Sequence, residues 1–221
     1  MGYRAPRLGA PASQCSHASR QPRADGERTR AAILRAAASL ATVDGLEGLS
    51  IGNLAAAIGM SKSGLYAHFG TKQELQLATV DEAERILTEE VVQPALAAPP
   101  GLGQLAAVCE AFFSYVERRV FPGGCFFVAT ALEMGARPGP VKDRVAAITS
   151  GFTALLASFA ATAIEQHELP AREVPGLLAF ELHAILLGAD TKFVLSDDPA
   201  MLDLGRQVVR QRLGLDDASE S

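Results

Sequence analysis

Two lysines (Lys62, Lys72), three small hydroxyls (Ser61, Ser63, Thr71), a phenol (Tyr66) and an imidazole (His68) fall within the twelve residues from Ser61 to Lys72. Ammonium and phenol groups both reach phosphate oxygens, so the chemistry open to this set is the holding of an anion. Free backbone amides at the start of the helix after Thr71 would offer a second phosphate seat. Singly these residues are unremarkable: Lys62 and Lys72 suit any surface, and Tyr66 and His68 could equally pack on a neighbouring helix. Other reactive types are dispersed. His17, His68, His167 and His183 form no His-x-x-x-His pair, and Cys125 has no base close in sequence. Cys15, Cys109 and Cys125 are an odd number at unrelated spacings, which argues against a disulfide framework and a cysteine zinc cluster. The sequence therefore predicts no catalytic residue, no metal site and no cofactor.

The elements that must position the cluster are helical. Ile33, Leu34, Ala37, Leu40 and Ala41 repeat at helical spacing from Thr29, and Asp44-Gly45 supplies a stop. Ser50 caps a short second helix whose Ile51, Leu54, Ala55 and Ile58 share one face, ending at Gly59. Gly59-Met60-Ser61 is a turn, and Lys62 to Phe69 a third helix about 12 Å long at 1.5 Å per residue. Two short helices so joined make a helix-turn-helix, the second sized for a DNA major groove. Thr71, with Glu74 three positions on, caps a fourth helix whose apolar positions run to Pro94. This fourth helix would leave the head and enter the body as a transmission rod. Beyond it, breakers separate helices expected at 102–119, 125–134, 141–167, 177–195 and 200–213. The fold class expected is all-α: an N-terminal helix-turn-helix domain sized for DNA, followed by a larger C-terminal helical domain.

At 221 residues and 48% hydrophobic, the chain can bury a sizeable core without staples. Its net charge of −5 is unevenly distributed: residues 1–75 hold nine Lys/Arg against five Asp/Glu, residues 76–221 eleven against twenty. A basic head on an acidic body favours one orientation toward nucleic acid, although modest asymmetries also arise by chance. Residues 1–24, with four arginines and no periodicity, read as a flexible basic arm, either a minor-groove contact or a leader without function. The domains expected are this arm, a head over 25–72, a body over 73–215 and a frayed tail over 216–221. No apolar run suits a signal peptide or a membrane span, so a cytoplasmic protein without membrane partners is expected.

In the body, Phe112, Phe113, Phe121, Phe126, Phe127, Phe152 and Phe159 fall within 48 residues. These rings are either plain core or the walls of an apolar cavity. The stretch 177–195 is apolar along one side, and 200–213 offers Leu204 and Val208 among others. Such a pair needs a cover: a two-fold partner in four-helix packing across Phe180, Ala184, Leu187, Gly188, Leu204 and Val208, or the subunit itself.

Residues 50–75, SIGNLAAAIGMSKSGLYAHFGTKQEL, resemble the TetR family of bacterial transcriptional regulators. The resemblance covers Thr29 to Leu75 and rests on the Gly-Met-Ser turn, Leu65-Tyr66-Ala67-His68-Phe69 and Lys72-Gln73-Glu74-Leu75 in register. Past Leu75 it extends to the layout, with Gly124-Cys125-Phe126-Phe127 and Arg137-Pro138-Gly139-Pro140-Val141 similar to one C-terminal subclass. It implies a homodimer of nine-helix subunits that binds double-stranded DNA and a small-molecule effector. By the resemblance, Ser50, Ser61, Lys62, Ser63, Gly64, Tyr66, Ala67, His68, Thr71 and Lys72 form the DNA interface, with Tyr66 and Lys72 on phosphate and Leu65 and Phe69 packing inside. Gly64 departs from the family, where many members carry a side chain able to touch a base, and Ala67 is also small. Readout would then lean on Lys62, Ser63, methyl contacts and DNA shape. The resemblance places an effector pocket among the middle helices, assigned to Phe112, Phe113, Phe126, Phe127, Thr130, Phe152 and Phe159, for an apolar or aromatic ligand. Arg118, Glu133, Thr149 and His167 are further polar candidates. The function expected is a repressor released from a palindromic operator by its effector. The alternatives are an activator or an effector-blind DNA-binding protein of the same fold and, remotely, an enzyme using the cavity.

Overall fold

The computed structural model describes residues 21–215, with side chains from residue 26 onward. The expectations for the arm through residue 20, for Cys15 and His17, and for the tail 216–221 lie outside these residues. The first helix, α1, spans Gln21–Asp44. It therefore begins within the segment 1–24 expected to be flexible and eight residues ahead of Thr29. Pro22 sits in its first turn, where a missing N–H breaks no helical bond. Gly45, at φ 83°, ends the helix where Asp44-Gly45 marks the stop.

Helix α2, Ile51–Ile58, starts at Ser50, whose side chain accepts the Asn53 N–H while the Asn53 side chain accepts the Ser50 N–H. It ends at Gly59 in the left-handed region, φ 68°. Helix α3, Lys62–His68, begins at Ser61, whose hydroxyl accepts the Gly64 N–H at 3.1 Å. The capping box read from Thr71 and Glu74 is present at the start of α4, Lys72–Leu87, with bonds of 2.9 and 3.1 Å.

Pro94 does not end this rod. After α4 comes a π turn, Thr88–Val92, and then α5, Gln93–Leu96, without a break. A proline ring collides with the carbonyl four residues back in a regular helix, and the wider π turn relieves that collision. Lys72 to Leu96 is thus one rod about 37 Å long.

The body follows as α6 (Leu102–Glu117), α7 (Phe126–Met134), α8 (Pro140–Glu165), α9 (Pro175–Ser196) and α10 (Ala200–Leu213). With α4 and α5 counted as one rod, the described residues hold nine helices. Helix α8 is long and apolar enough to cross a membrane by length and composition. Here its Val145, Ile148, Phe152, Leu156 and Phe159 are buried, and it packs against α4, α6, α7 and α9. Helix α1 packs on both α4 and α7, so the head rests on the rod and on the body.

Candidate nucleic-acid interface and ligand cavity

The short α3 is fixed by what it buries. Leu65 and Phe69 are buried, and the Arg30 guanidinium of α1 lies 5.0 Å from the centre of the Phe69 ring. With those two positions inward, helical geometry turns Lys62, Ser63, Tyr66 and Ala67 outward, and all four are exposed. Tyr66 keeps 56% of its surface accessible, against 2% for Phe69. Gly64 and His68 are half-buried, and Ser61, Thr71 and Lys72 are exposed beside them. The end of Lys62 lies over Gly52 at the start of α2, which brings it near the half-buried cap residue Ser50. A side chain at Gly64 would crowd the Ser61 hydroxyl at 3.1 Å, so the bare position protects the cap of α3.

Lys72 is already engaged. Its Nζ donates to the backbone oxygen of Glu47 at 2.6 Å and to the Glu47 carboxylate at 2.8 Å. The bond from Lys72, reinforced by its charge, by Gln76 and by Arg137, holds the Glu47 carboxyl below its ordinary pKa. An ammonium has three N–H donors, so one remains for an outside oxygen. Glu47 and Asn53 escaped the sequence reading: Glu47 lies 25 residues from Lys72, and Asn53 fills a cap position usually read from Glu or Gln.

In the body, a cavity of about 40 Å³ is lined by Leu87, Phe112, Cys125, Phe127, Val128, Ala131, Ile148, Thr149, Phe152, His183 and Leu187. The structure places Phe112, Phe127, Phe152 and Thr149 on its wall, and Leu187 as well, although a dimer interface was expected for that residue. It places Phe113, Phe126, Thr130 and Phe159 in the core away from the lining. The Thr130 hydroxyl donates to the Phe126 carbonyl of its own helix. Arg118 turns to Glu90 at 2.8 Å, Glu133 to the backbone of residues 46 and 47, and His167 sits in the turn after α8. The i,i+4 pairs Phe127/Ala131, Ile148/Phe152 and His183/Leu187 are the sequence signal that marks shared faces. An outer cleft of about 210 Å³ between α4 and α8 shares Leu87, Ile148 and Phe152 with the cavity, and so adjoins it.

His183 is on the wall with Thr149, whose hydroxyl donates to the Val145 carbonyl of its own helix. His183 Nδ1 lies 2.8 Å from Thr153 Oγ1, and burial lowers the imidazole pKa. Cys125, also on the wall, is buried and its thiol is pushed up to about 12 by that burial and by nearby Asp190. Such a thiol is not a ready nucleophile. Among the described residues no three His, Cys, Asp or Glu side chains gather to hold a metal.

The outer faces of α9 and α10 remain open in the single chain. Phe180 is 68% and Leu204 52% accessible, Val208 is exposed beside them, and Ala184 and Gly188 leave a low surface between.

The comparisons with known proteins agree with this layout. Residues 33–79 match the family model described as bacterial regulatory proteins, tetR family, and residues 101–209 match the tetracyclin repressor-like C-terminal domain. A TetR transcriptional regulator from Chloroflexus aurantiacus superposes with a TM-score of 0.79 at 26% identity, over 86% of this chain and 96% of that one. A TetR-family regulator from Streptomyces coelicolor gives 0.73 at 22%, over 86% and 95%. AibR, solved with isovaleryl coenzyme A and operator DNA, gives 0.64 at 24%, over 82% and 97%. No functionally curated protein matches the chain. One family model lies on the helix-turn-helix and the other on the cavity-bearing bundle, and on that ground the chain belongs to the TetR family of DNA-binding transcriptional regulators.

Proposed function

We propose that the chain is a homodimeric repressor that grips a palindromic operator through α3 and is released by a small, uncharged, mostly apolar effector in the cavity. The observation that carries this reading is the placement of Leu87. It lines the cavity on the same helix that begins at Lys72, about 22 Å away at 1.5 Å per residue. An occupant therefore presses on a rod whose far end borders the DNA-facing surface. The presence of a cavity favours this over an effector-blind protein, and the superposable AibR shows the same fold with both an acyl thioester and operator DNA. On the DNA side, Lys62, Ser63 and Ala67 face the bases, while Tyr66, Lys72 and the amides behind Thr71 hold phosphates, with Ser50, Ser61, Gly64 and His68 framing them. The exposed faces of α9 and α10 pair across the two-fold axis.

The lining sets the ligand class. It carries no Lys, Arg, Asp or Glu, so a charged group would enter unpaired. Thr153 Oγ1 lies 3.1 Å from the Thr149 carbonyl oxygen and 2.8 Å from His183 Nδ1, so a neutral His183 keeps Nε2 as a donor or an acceptor according to which of the two takes the hydroxyl proton. The effector is then an aromatic or aliphatic molecule with one neutral hydrogen-bonding group, and a hydroxyl serves either tautomer. The reading is tested by selecting a duplex from a random pool with the native chain and titrating the complex with neutral phenols and alcohols beside matched carboxylates. Release by members of the first group alone is expected; release by carboxylates alone, or no effect of either, would contradict it.

A further inference from the structure

Helix α7 faces two ways. Phe127, Val128 and Ala131 line the cavity, and two residues further on the Glu133 carboxylate leaves the bundle for the head. It accepts the Leu46 N–H at 2.7 Å through one oxygen and the Glu47 N–H at 2.8 Å through the other. Both amides belong to the loop between α1 and α2. A carboxylate bridging two amides is a strong, oriented contact. Gly45 makes room for it, since a Cβ there would lie 2.9 Å from Glu133 Oε1, and its φ of +83° suits glycine.

The same loop is held from its other side by α4. Gln76 Nε2 donates to the Leu46 carbonyl at 2.8 Å in a buried bond, and Lys72 Nζ to the Glu47 carbonyl. At the opposite end of α7 the preceding loop also touches the head, where the Gly123 N–H donates to Thr42 Oγ1 at 3.1 Å. A cavity of about 40 Å³ is too small for an organic ligand, so an occupant must move a wall. Among α6, α7 and α8, the nine-residue α7 is the shortest, against sixteen and twenty-six.

We propose that Glu133 is the positioning residue through which an occupant of the cavity moves the DNA-binding head: displacement of α7 draws the Leu46 and Glu47 amides with it and tilts α2 and α3. This rests on the reading of the cavity as the effector site. Control then runs through two routes, the α4 rod and the α7 latch, that converge on one loop.

The test needs no identified effector, because Thr149→Leu adds carbon to the cavity from α8 and stands in for an occupant. Affinity for the duplex selected by the native chain, and amide exchange at Leu46 and Glu47, are measured for the full dimer with Glu133 and with Glu133→Gln. With Glu133 intact, the filling substitution is expected to weaken DNA binding about tenfold or more and to speed exchange at both amides. With Glu133→Gln, which presents an N–H₂ group to one of the two amides, the same substitution should change affinity less than about threefold. Equal losses in both backgrounds would overturn the latch and leave the cavity reading standing. No change in affinity or exchange from filling would overturn both. Ala131→Val fills the cavity from α7 itself and replaces Thr149→Leu if that variant fails to fold.

Discussion

Lys72 keeps one N–H free while two are fixed on Glu47, so the ammonium is held in place before any phosphate arrives. Lys72→Ala is accordingly expected to weaken binding to every duplex alike and to lower the slope of log affinity against log salt by about one unit; an unchanged slope in an anisotropy salt series would contradict this. Lys62, exposed on α3, should act differently. Lys62→Ala is expected to reorder affinities among operator variants, and a uniform loss across a scan of base substitutions would count against a base-reading role. A third residue-scale prediction concerns Asp190, which lies beneath Gly124, accepts the Cys125 N–H at 3.0 Å, and is pushed by burial from 3.8 to about 7. Between those values the folded chain holds a proton that the unfolded chain has lost. The stability from this site is therefore full below pH 4 and falls as pH rises toward 7, by about 1.4 kcal/mol per unit. Asp190→Asn should flatten that decline and raise the midpoint of urea unfolding at pH 8; an unaltered pH profile would refute it. Local chemistry at this scale was readable in advance, as the Thr71–Glu74 box shows. Contacts such as Glu133 to Leu46 span 87 residues, and no short-range pattern announces them.

At the scale of elements, periodicity and punctuation placed the helices because each buries one stripe and most stop near a glycine or proline, although α6, α8 and α9 end beside Arg119, His167 and Asp197, which take positive φ. Two boundaries moved for physical reasons: Pro22 is harmless in a first turn, and the π turn lets the chain pass Pro94. The cavity lining was less legible, because helical spacing says that Phe126 and Phe127 lie on a buried helix but not which of them meets α8. The junction of α1 with the loop before α7 is tight. A Cβ at Gly123 would lie 2.0 Å from the Thr42 carbonyl oxygen, at a φ that glycine is not needed to adopt. Gly123→Ala must push the head from the body, and urea unfolding should show a loss of at least about 2 kcal/mol. A loss under about 0.5 kcal/mol would mean that the two segments separate freely.

Across the whole molecule, a basic head and an acidic body favour one orientation toward DNA, and the open apolar faces of α9 and α10 suit a second copy. Phe180→Glu places a charge on the most exposed ring of that surface. It should yield a folded monomer by sedimentation and cost about 100-fold or more in affinity for a palindrome, through loss of the second tethered head. A variant that remains dimeric would move the interface elsewhere. The central claim, that two α3 helices read one palindrome together, is tested most directly by anisotropy titration of the native chain. The selected palindrome, its isolated half-site and a scrambled duplex are compared across a salt series. Tight binding to the palindrome at physiological salt, with the half-site weaker by two orders of magnitude or more and the scrambled duplex weaker still, is the result predicted. Equal affinity for all three duplexes at every salt concentration would contradict it.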